Sequence, residues 1–245
     1  MVTKRALSRF KRHFSQELRV EEEHFDIKEN FESSQFKFSK YMQFNEKELH
    51  TQIEVSKSIH SSVEFMPHSC MISKLVIEEG VDFNLNFYAH PNSIILLDCE
   101  IKKGAKCNIN GYYSANEGKI WMYVKLLHVG EGSHSNLYVL GYSSNNSECV
   151  NDGLVQIGRE AQHSSGYQTM NNYVLSQQSK VFSEPQLEIF NPNVECSHGC
   201  TISPIDKEVI YYLQSRGLEY EESVELLQYS MYNSFLQKAG QLEEE

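Results

Sequence analysis

The pattern of apolar and polar positions divides the chain into three stretches. From about residue 70 to Pro204, apolar residues alternate with polar ones in runs of about five residues, which is typical of β-strands. After Pro204 they recur every three or four positions, as in amphipathic helices. We therefore expect four segments, which are an N-terminal helical or irregular segment over 1–65, a β core over 66–203, helices over 204–240 and an acidic tail over 241–245.

A short motif recurs within the β region. It consists of a β-branched residue, two polar residues, a Gly or Glu and a small residue, and its copies begin at Ile77, Ile101, Val129 and Ile157, in steps of 24, 28 and 28 residues. A Gly in the motif suits a tight corner with a positive φ. Repeated strands without helices between them favour a solenoid, with a parallel β-helix as the best candidate. A meandering antiparallel sandwich is the alternative, although Asn-Gly hairpin signals are nearly absent.

Two helices are predicted after the strands. The first covers about 207–215, is capped by Asp206 and ends at Gly217. The second covers about 221–238 and begins with acidic residues, which suit the positive end of a helix. Its apolar seam consists of Val224, Leu227, Met231 and Phe235. We expect a helical hairpin at the end of the sheet, whose seam either packs on the β-helix or docks a partner protein.

Composition narrows the function classes. The chain has 245 residues, of which 40% are hydrophobic and 22% charged, so it is globular. A net charge of −11 argues against nucleic acid as the partner, and no apolar run approaches the roughly 20 residues of a membrane span. Six scattered cysteines indicate thiols rather than a disulfide framework, so we expect a cytoplasmic protein.

The first 16 residues carry five basic side chains and no acidic one. The stretch is compatible with a helix, because Leu7, Phe10 and Phe14 have helical spacing. It is either an organelle transit peptide or a basic first helix that lies against the acidic residues of 17–32.

The most concentrated group of potentially reactive side chains consists of Cys196, His198 and Cys200, which are expected to face one side of a strand. Thiolate and imidazole are ligands for zinc, iron or copper(I). Alternate strand residues are about 6.5–7 Å apart, however, so three ligands on one straight strand cannot close a tetrahedral site. A metal would need further ligands from a neighbouring coil or another chain. The alternative is a buried thiol pair beside a structural histidine.

Catalysis by this chain has little support. The sequence lacks the nucleophile elbow, the phosphate-binding loop and the zinc-protease helix motif. Its carboxylates are mostly in helical or N-terminal runs, where they form solvated faces. We therefore expect a protein that is not an enzyme.

Three sequence segments resemble the SufB/SufD family of iron–sulfur cluster assembly proteins. They are Ser183-Glu184-Pro185-Gln186-Leu187-Glu188-Ile189, Cys196-Ser197-His198-Gly199-Cys200-Thr201, and the stretch from Ile205 to Leu218. The family pattern is approximately PQLEI, CSHGAT and I-D-x-E-x-x-F-Y-L-x-S-R-G-I. The resemblance implies a right-handed parallel β-helix core with helical ends, and a role as scaffold subunit beside the SufC ATPase.

Within that family the sequence resembles SufD more than SufB. The SufB branch has a Glu after the motif histidine and a Cys earlier in the chain, where this sequence has Gly199 and Met170. His198 matches the SufD histidine at the SufB–SufD interface. Cys200 departs from the usual Ala, and Ser203-Pro204 replaces a stretch that contains Gly.

The resemblance also implies two sites. One is a cluster-assembly interface at His198, Cys196 and Cys200, where His198 is a transient metal ligand or only braces the interface by hydrogen bonds. The other is a docking site for the ATPase, with the residues Tyr212, Leu213, Arg216, Gly217, Leu227 and Met231. We expect no catalytic residue and no permanently bound cofactor, but a transient iron–sulfur cluster shared with a partner chain. The partner is a SufB-type subunit or a second copy, paired through 185–202.

Two other functions stay open from the sequence. A stand-alone or homodimeric scaffold would hold a cluster through Cys196, His198 and Cys200 themselves. A β-helical carbohydrate-binding or carbohydrate-active protein would need paired carboxylates in a groove, and no coil offers an obvious pair.

Overall fold

The computed structural model describes residues 36–41, 50–65 and 70–240, which form thirteen strands and two helices. The strands are β1 (Phe36–Tyr41), β2 (His50–Val55), β3 (Ile59–Phe65), β4 (Cys70–Ile77), β5 (Asp82–Ala89), β6 (Ser93–Ile101), β7 (Lys106–Ala115), β8 (Lys119–His128), β9 (His134–Ser143), β10 (Glu148–Ile157), β11 (Ser165–Val174), β12 (Lys180–Ile189) and β13 (Glu195–Pro204). The helices are α1 (Lys207–Ser215) and α2 (Tyr220–Lys238). The predicted basic segment 1–16, the acidic stretch 17–32 and the tail 241–245 lie outside the described residues.

Successive strands from β2 onward alternate between two sheets. The even sheet has the order β1-β2-β4-β6-β8-β10-β12, and the odd sheet has the order β13-β11-β9-β7-β5-β3. All neighbours pair in parallel except β1 and β2. The chain therefore winds as a parallel β-helix with two strands per coil, which confirms the predicted fold class. An antiparallel sandwich is excluded.

The repeated motif forms one row of corners. Gly80, Gly104 and Gly132 have φ between 64° and 68°, and each amide donates a hydrogen bond to a carbonyl of the next coil at 2.8–2.9 Å. The fourth copy differs, because His163 rather than Glu160 has the left-handed conformation there, with φ 57°. His163 again donates to the next coil, at 2.8 Å, so an inserted turn preserves the stack.

The sheets extend further toward the N terminus than the expected β core. Strands β1, β2 and β3 precede residue 66, within the segment that was expected to be helical or irregular. Charged residues at exposed positions of β2 and β3, such as Glu54 and Glu64, lower the apolar signal of these two strands. Among the described residues, no helix is both long and apolar enough to span a membrane.

The interior is filled by the inward side chains of both sheets. Aromatic rings are accommodated where the neighbouring coil has a glycine: the Phe87 ring lies over Gly111, and the Tyr113 ring lies over Gly141. Both rings are fully buried. Because a large ring in one coil faces a glycine in the next, the narrow interior stays close-packed.

Helix α2 lies on the outer face of the odd sheet rather than at the end of the sheet, where we expected it. Phe235 is fully buried against Tyr88, Tyr112 and Tyr138, with ring centroids 5.4–6.2 Å apart. These tyrosines point outward from β5, β7 and β9, so the helix covers three successive coils. The C-terminal half of the predicted seam therefore packs on the β-helix.

Candidate functional site

Strand β13 places Cys196, His198 and Cys200 on one face, as the spacing predicts. Cys196 pairs in register with Gly166, and it packs against the interior core. The alternation of side chains along the strand puts His198 and Cys200 on the same inward side. The three groups therefore face the inside of the last coil.

The opposite wall of this coil comes from β12. Val181 and Leu187 of that strand also pack against the core, so Ser183 and Pro185, at alternate positions between them, face inward as well. Strands β12 and β13 are the last strands of their sheets, with one free edge each.

Nothing in the described part of the chain caps this coil. Its strands are half-buried or exposed along most of their length, in contrast to the preceding coils. Ile202 faces inward yet is 47% exposed, and Ile189 and Phe190, at the C-terminal end of β12, are exposed as well. We refer to the surface formed by β12 and β13 as the coil end.

The three candidate ligands have different environments at the coil end. Cys196 is half-buried, and burial raises the pKa of its thiol, so the protonated form is favoured there. Cys200 and His198 are exposed. The sulfur of Cys200 lies 3.8 Å from Nδ2 of the buried Asn172. Cys200 and His198 are thus the accessible members of the set.

A layer of buried amides lies beneath these residues. Gln168, in register with His198, donates from Nε2 to the carbonyl of Gln186 at 2.8 Å. Its Oε1 has no hydrogen-bond partner within the described structure. Asn172 accepts hydrogen bonds from the Tyr113 hydroxyl at 2.8 Å and from Asn151 at 3.2 Å.

This amide layer was missed from the sequence. Single Gln and Asn residues in a strand give no signal of their own, and only the coil register brings them under β13. The layer leaves a polar floor, including one unsatisfied acceptor, beneath the histidine.

The coil end does not form a complete metal site by itself. Among the described residues, no group of three or more His, Cys, Asp and Glu side chains is arranged to hold a metal ion. Side chains at alternate positions of a strand are about 6.5–7 Å apart, which is too far for ligands of one ion. What the arrangement can offer is one or two ligands to a site that another chain completes.

The expected docking residues of the helices fall into two groups. Tyr212 is 55% exposed, with the Arg216 guanidinium 5.2 Å from its ring centroid, and Gly217 ends α1 with φ 97°. Leu213 and Leu227 are half-buried. None of these five residues belongs to the buried aromatic cluster under the C-terminal half of α2.

Met231 differs from the other docking candidates, because it packs against the tyrosines under α2. Three further exposed residues of the hairpin, which are not among the expected docking residues, enlarge its apolar surface: Tyr211, Leu226 and Tyr229. We call this exposed surface, with Tyr212, the hairpin patch.

Comparison with known proteins identifies the family. Residues 92–231, more than half of the chain, match the family described as SUF system FeS cluster assembly, SufBD core domain. The iron–sulfur cluster assembly protein SufD of Escherichia coli (strain K12) is 36% identical over 87 residues, which are 36% of this chain and 21% of that protein.

Two further relatives are described as iron–sulfur cluster assembly SufBD family proteins. The SufBD family protein ycf24 of Porphyra purpurea is 30% identical over 118 residues, 48% of this chain and 23% of its own. A SufBD family protein of Staphylococcus epidermidis is 27% identical over 153 residues, 61% of this chain and 32% of its own. This chain therefore spans less than a third of the length of each of these three relatives. On the match over 92–231, the chain belongs to the SufBD family of iron–sulfur cluster assembly proteins.

Proposed function

We propose that this chain is a SufD-like scaffold subunit for iron–sulfur cluster assembly, which acts with a SufB-type subunit and a SufC-type ATPase. The observation that carries the proposal is the uncapped coil end, where two free strand edges surround His198 and Cys200. Free edges and exposed apolar residues invite pairing with another chain. A partner strand that continues the sheets would bury Ile202 and bring its own side chains next to His198.

The SufD-like assignment depends on two positions. Met170 is fully buried in register with Cys200, and its thioether is only a weak acceptor where the SufB branch has a thiol. Gly199 provides no carboxylate next to His198. We therefore assign the missing thiol and carboxylate to the SufB-type partner, and to this chain the histidine.

The ATPase would bind the hairpin patch. Its tyrosines and Leu226 are exposed on helices that the C-terminal half of α2 anchors to the solenoid. Helices present apolar anchors of this kind to grooves of partner proteins. Movement driven by the ATPase would thus reach the solenoid through the buried contacts of Phe235.

Substitution of His198 tests the ligand role. In the complex with both partners, His198→Ala is expected to abolish cluster formation, and His198→Cys to retain part of it, because thiolate also binds iron. The complex should stay intact in both variants. Unchanged cluster formation with His198→Ala would remove the ligand role, and dissociation of the complex would favour the bracing role instead.

A self-pairing scaffold is the second candidate, and Cys200 is the observation that favours it. Its thiol is exposed on the inward face, at a position where the family pattern has Ala. Two copies joined at their coil ends would contribute two histidines and two thiols. Light scattering of the isolated chain tests this, since self-pairing predicts a dimer that Ile202→Lys converts to a monomer.

A further inference from the structure

A cavity of about 820 Å³ lies on the outer face of the odd sheet, beside the C-terminal half of α2. Four tyrosines form its walls: Tyr88, Tyr112, Tyr142 and Tyr232. We call it the tyrosine pocket. It is distant in the coil order from β12 and β13, since its other walls come from β3, β5 and β7. Its volume is near the upper end of the about 300–1,000 Å³ typical of ligand pockets.

The rings of the tyrosine pocket meet edge to face. Tyr232 contacts Tyr88 at 6.1 Å and Tyr112 at 5.1 Å between centroids, and Tyr112 contacts Tyr142 at 6.5 Å. The Ser114 hydroxyl donates to the Tyr142 hydroxyl at 2.7 Å, which fixes that side chain. Rings in this arrangement present electron-rich faces that attract cations.

The charges around the pocket also favour a cation. Glu64 lies at the rim, where its carboxylate is 2.7 Å from Nε2 of His90. None of the described residues that line the cavity is a lysine or arginine.

The same aromatic cluster already holds one cation. The Lys238 ammonium lies 4.1 Å from the ring centroid of Tyr138, which stacks on Phe235 next to the pocket. This contact shows that an outward tyrosine of the odd sheet serves as a cation platform in this fold.

We propose that the tyrosine pocket binds an arginine-bearing peptide segment, with the guanidinium between the tyrosine rings and the Glu64 carboxylate. A guanidinium suits the site because it is planar, stacks on aromatic faces and pairs with a carboxylate through two parallel hydrogen bonds. A peptide suits it because the cavity, at about 820 Å³, is much larger than one guanidinium group. This inference is independent of the proposed scaffold function.

The experiment uses a fluorescein-labelled peptide, Gly-Ser-Arg-Ser-Gly with blocked ends, and fluorescence anisotropy with the full chain. The control peptide has citrulline, a neutral near-isostere, in place of arginine. We expect saturable binding of the arginine peptide and at least about tenfold weaker binding of the citrulline peptide, because a charge-assisted contact is lost.

Two variants assign that binding to the pocket. Glu64→Gln and Tyr232→Leu should each weaken it about tenfold, whereas the matched controls Glu79→Gln and Tyr229→Leu, at exposed positions outside the cavity, should not. Glu64 is exposed, so its variant decides the outcome if Tyr232→Leu fails to fold. Equal binding of both peptides, no saturable binding, or full binding by Glu64→Gln would each overturn the proposal.

Discussion

Single residues decide whether adjacent coils can stack. A Cβ added at Gly141 would lie 2.3 Å from the Tyr113 ring and 2.5 Å from the Tyr113 carbonyl oxygen. The ring is held by the hydrogen bond from its hydroxyl to Asn172, so it cannot move aside without leaving that buried hydroxyl unsatisfied.

We therefore predict that Gly141→Ala lowers the free energy of unfolding by about 1–3 kcal/mol, the usual cost of overpacking. Gly199→Ala is the control, because nothing lies within 4 Å of a Cβ there. Thermal unfolding measures both variants. A melting temperature of Gly141→Ala equal to that of the wild type would contradict the packing described for the interior.

A buried histidine gives stability a dependence on pH. His128 is fully buried between the hydroxyls of Ser133 and Ser135, each 2.7 Å from a ring nitrogen. Burial, with a smaller contribution from the nearby His134, lowers the pKa of His128 to about 4. The unfolded chain therefore binds a proton near pH 6.5 that the folded chain does not accept until about pH 4.

This linkage predicts stability that is fully present above about pH 6.5 and is lost as the pH falls toward 4. Between pH 7.5 and pH 5 the contribution of His128 is about 2 kcal/mol. Urea unfolding at the two pH values, on the wild type and on His128→Gln, measures the difference. His128→Gln should lack this part of the pH dependence. If the free energy of unfolding changes equally between the two pH values in both proteins, His128 is excluded as the source.

At the scale of elements, the strands, corners and helices could largely be predicted, because each is encoded by local spacing. The helix 207–215 and its Asp206 cap, whose carboxylate accepts from the Glu208 amide at 2.8 Å, agree with the sequence prediction. The register was less predictable. Ile101 and Val129 begin successive copies of the repeated motif, yet Ile101 pairs with His128. The amides of Val129 and Gly130 both donate to the Ile101 carbonyl, so this corner contains one additional residue.

The position of α2 could not be derived from periodicity. Its partners are outward tyrosines of β5, β7 and β9, and a strand pattern with aromatic residues on both faces does not say what covers the outer one. The coil end shows the same limit, since spacing put Cys196, His198 and Cys200 on one face but not the amides beneath them. Contacts between distant segments depend on the coil register, which no local pattern encodes.

The docking of α2 is tested at Phe235. Phe235→Ala removes a fully buried ring, at an expected cost of about 3–5 kcal/mol to the docked helix. Because the coils have their own interior core, we expect the solenoid to stay folded while limited proteolysis removes the helices faster. Tyr229→Ala, at a position that is 61% exposed, should be cleaved at the wild-type rate. Equal cleavage of Phe235→Ala and wild type would contradict the anchoring role.

At the scale of the whole molecule, the chain presents two surfaces on which a partner could dock. The coil end presents free strand edges around His198, and the hairpin patch presents exposed tyrosines on helices anchored to the odd sheet. Met231 is a poor probe of the second surface, because its substitution would also disturb the tyrosine cluster under α2. Tyr211 and Leu226 are better positions, since their side chains are exposed.

The most direct test is to isolate the tagged chain from its own cell and to identify the bound proteins by mass spectrometry. We expect to recover a SufC-type ATPase and a second SufBD-family chain. Ile202→Lys at the coil end should lose the second chain and keep the ATPase, whereas Tyr211→Lys with Leu226→Lys should do the reverse. Recovery of neither protein with the wild type, or of both with each folded variant, would contradict the account.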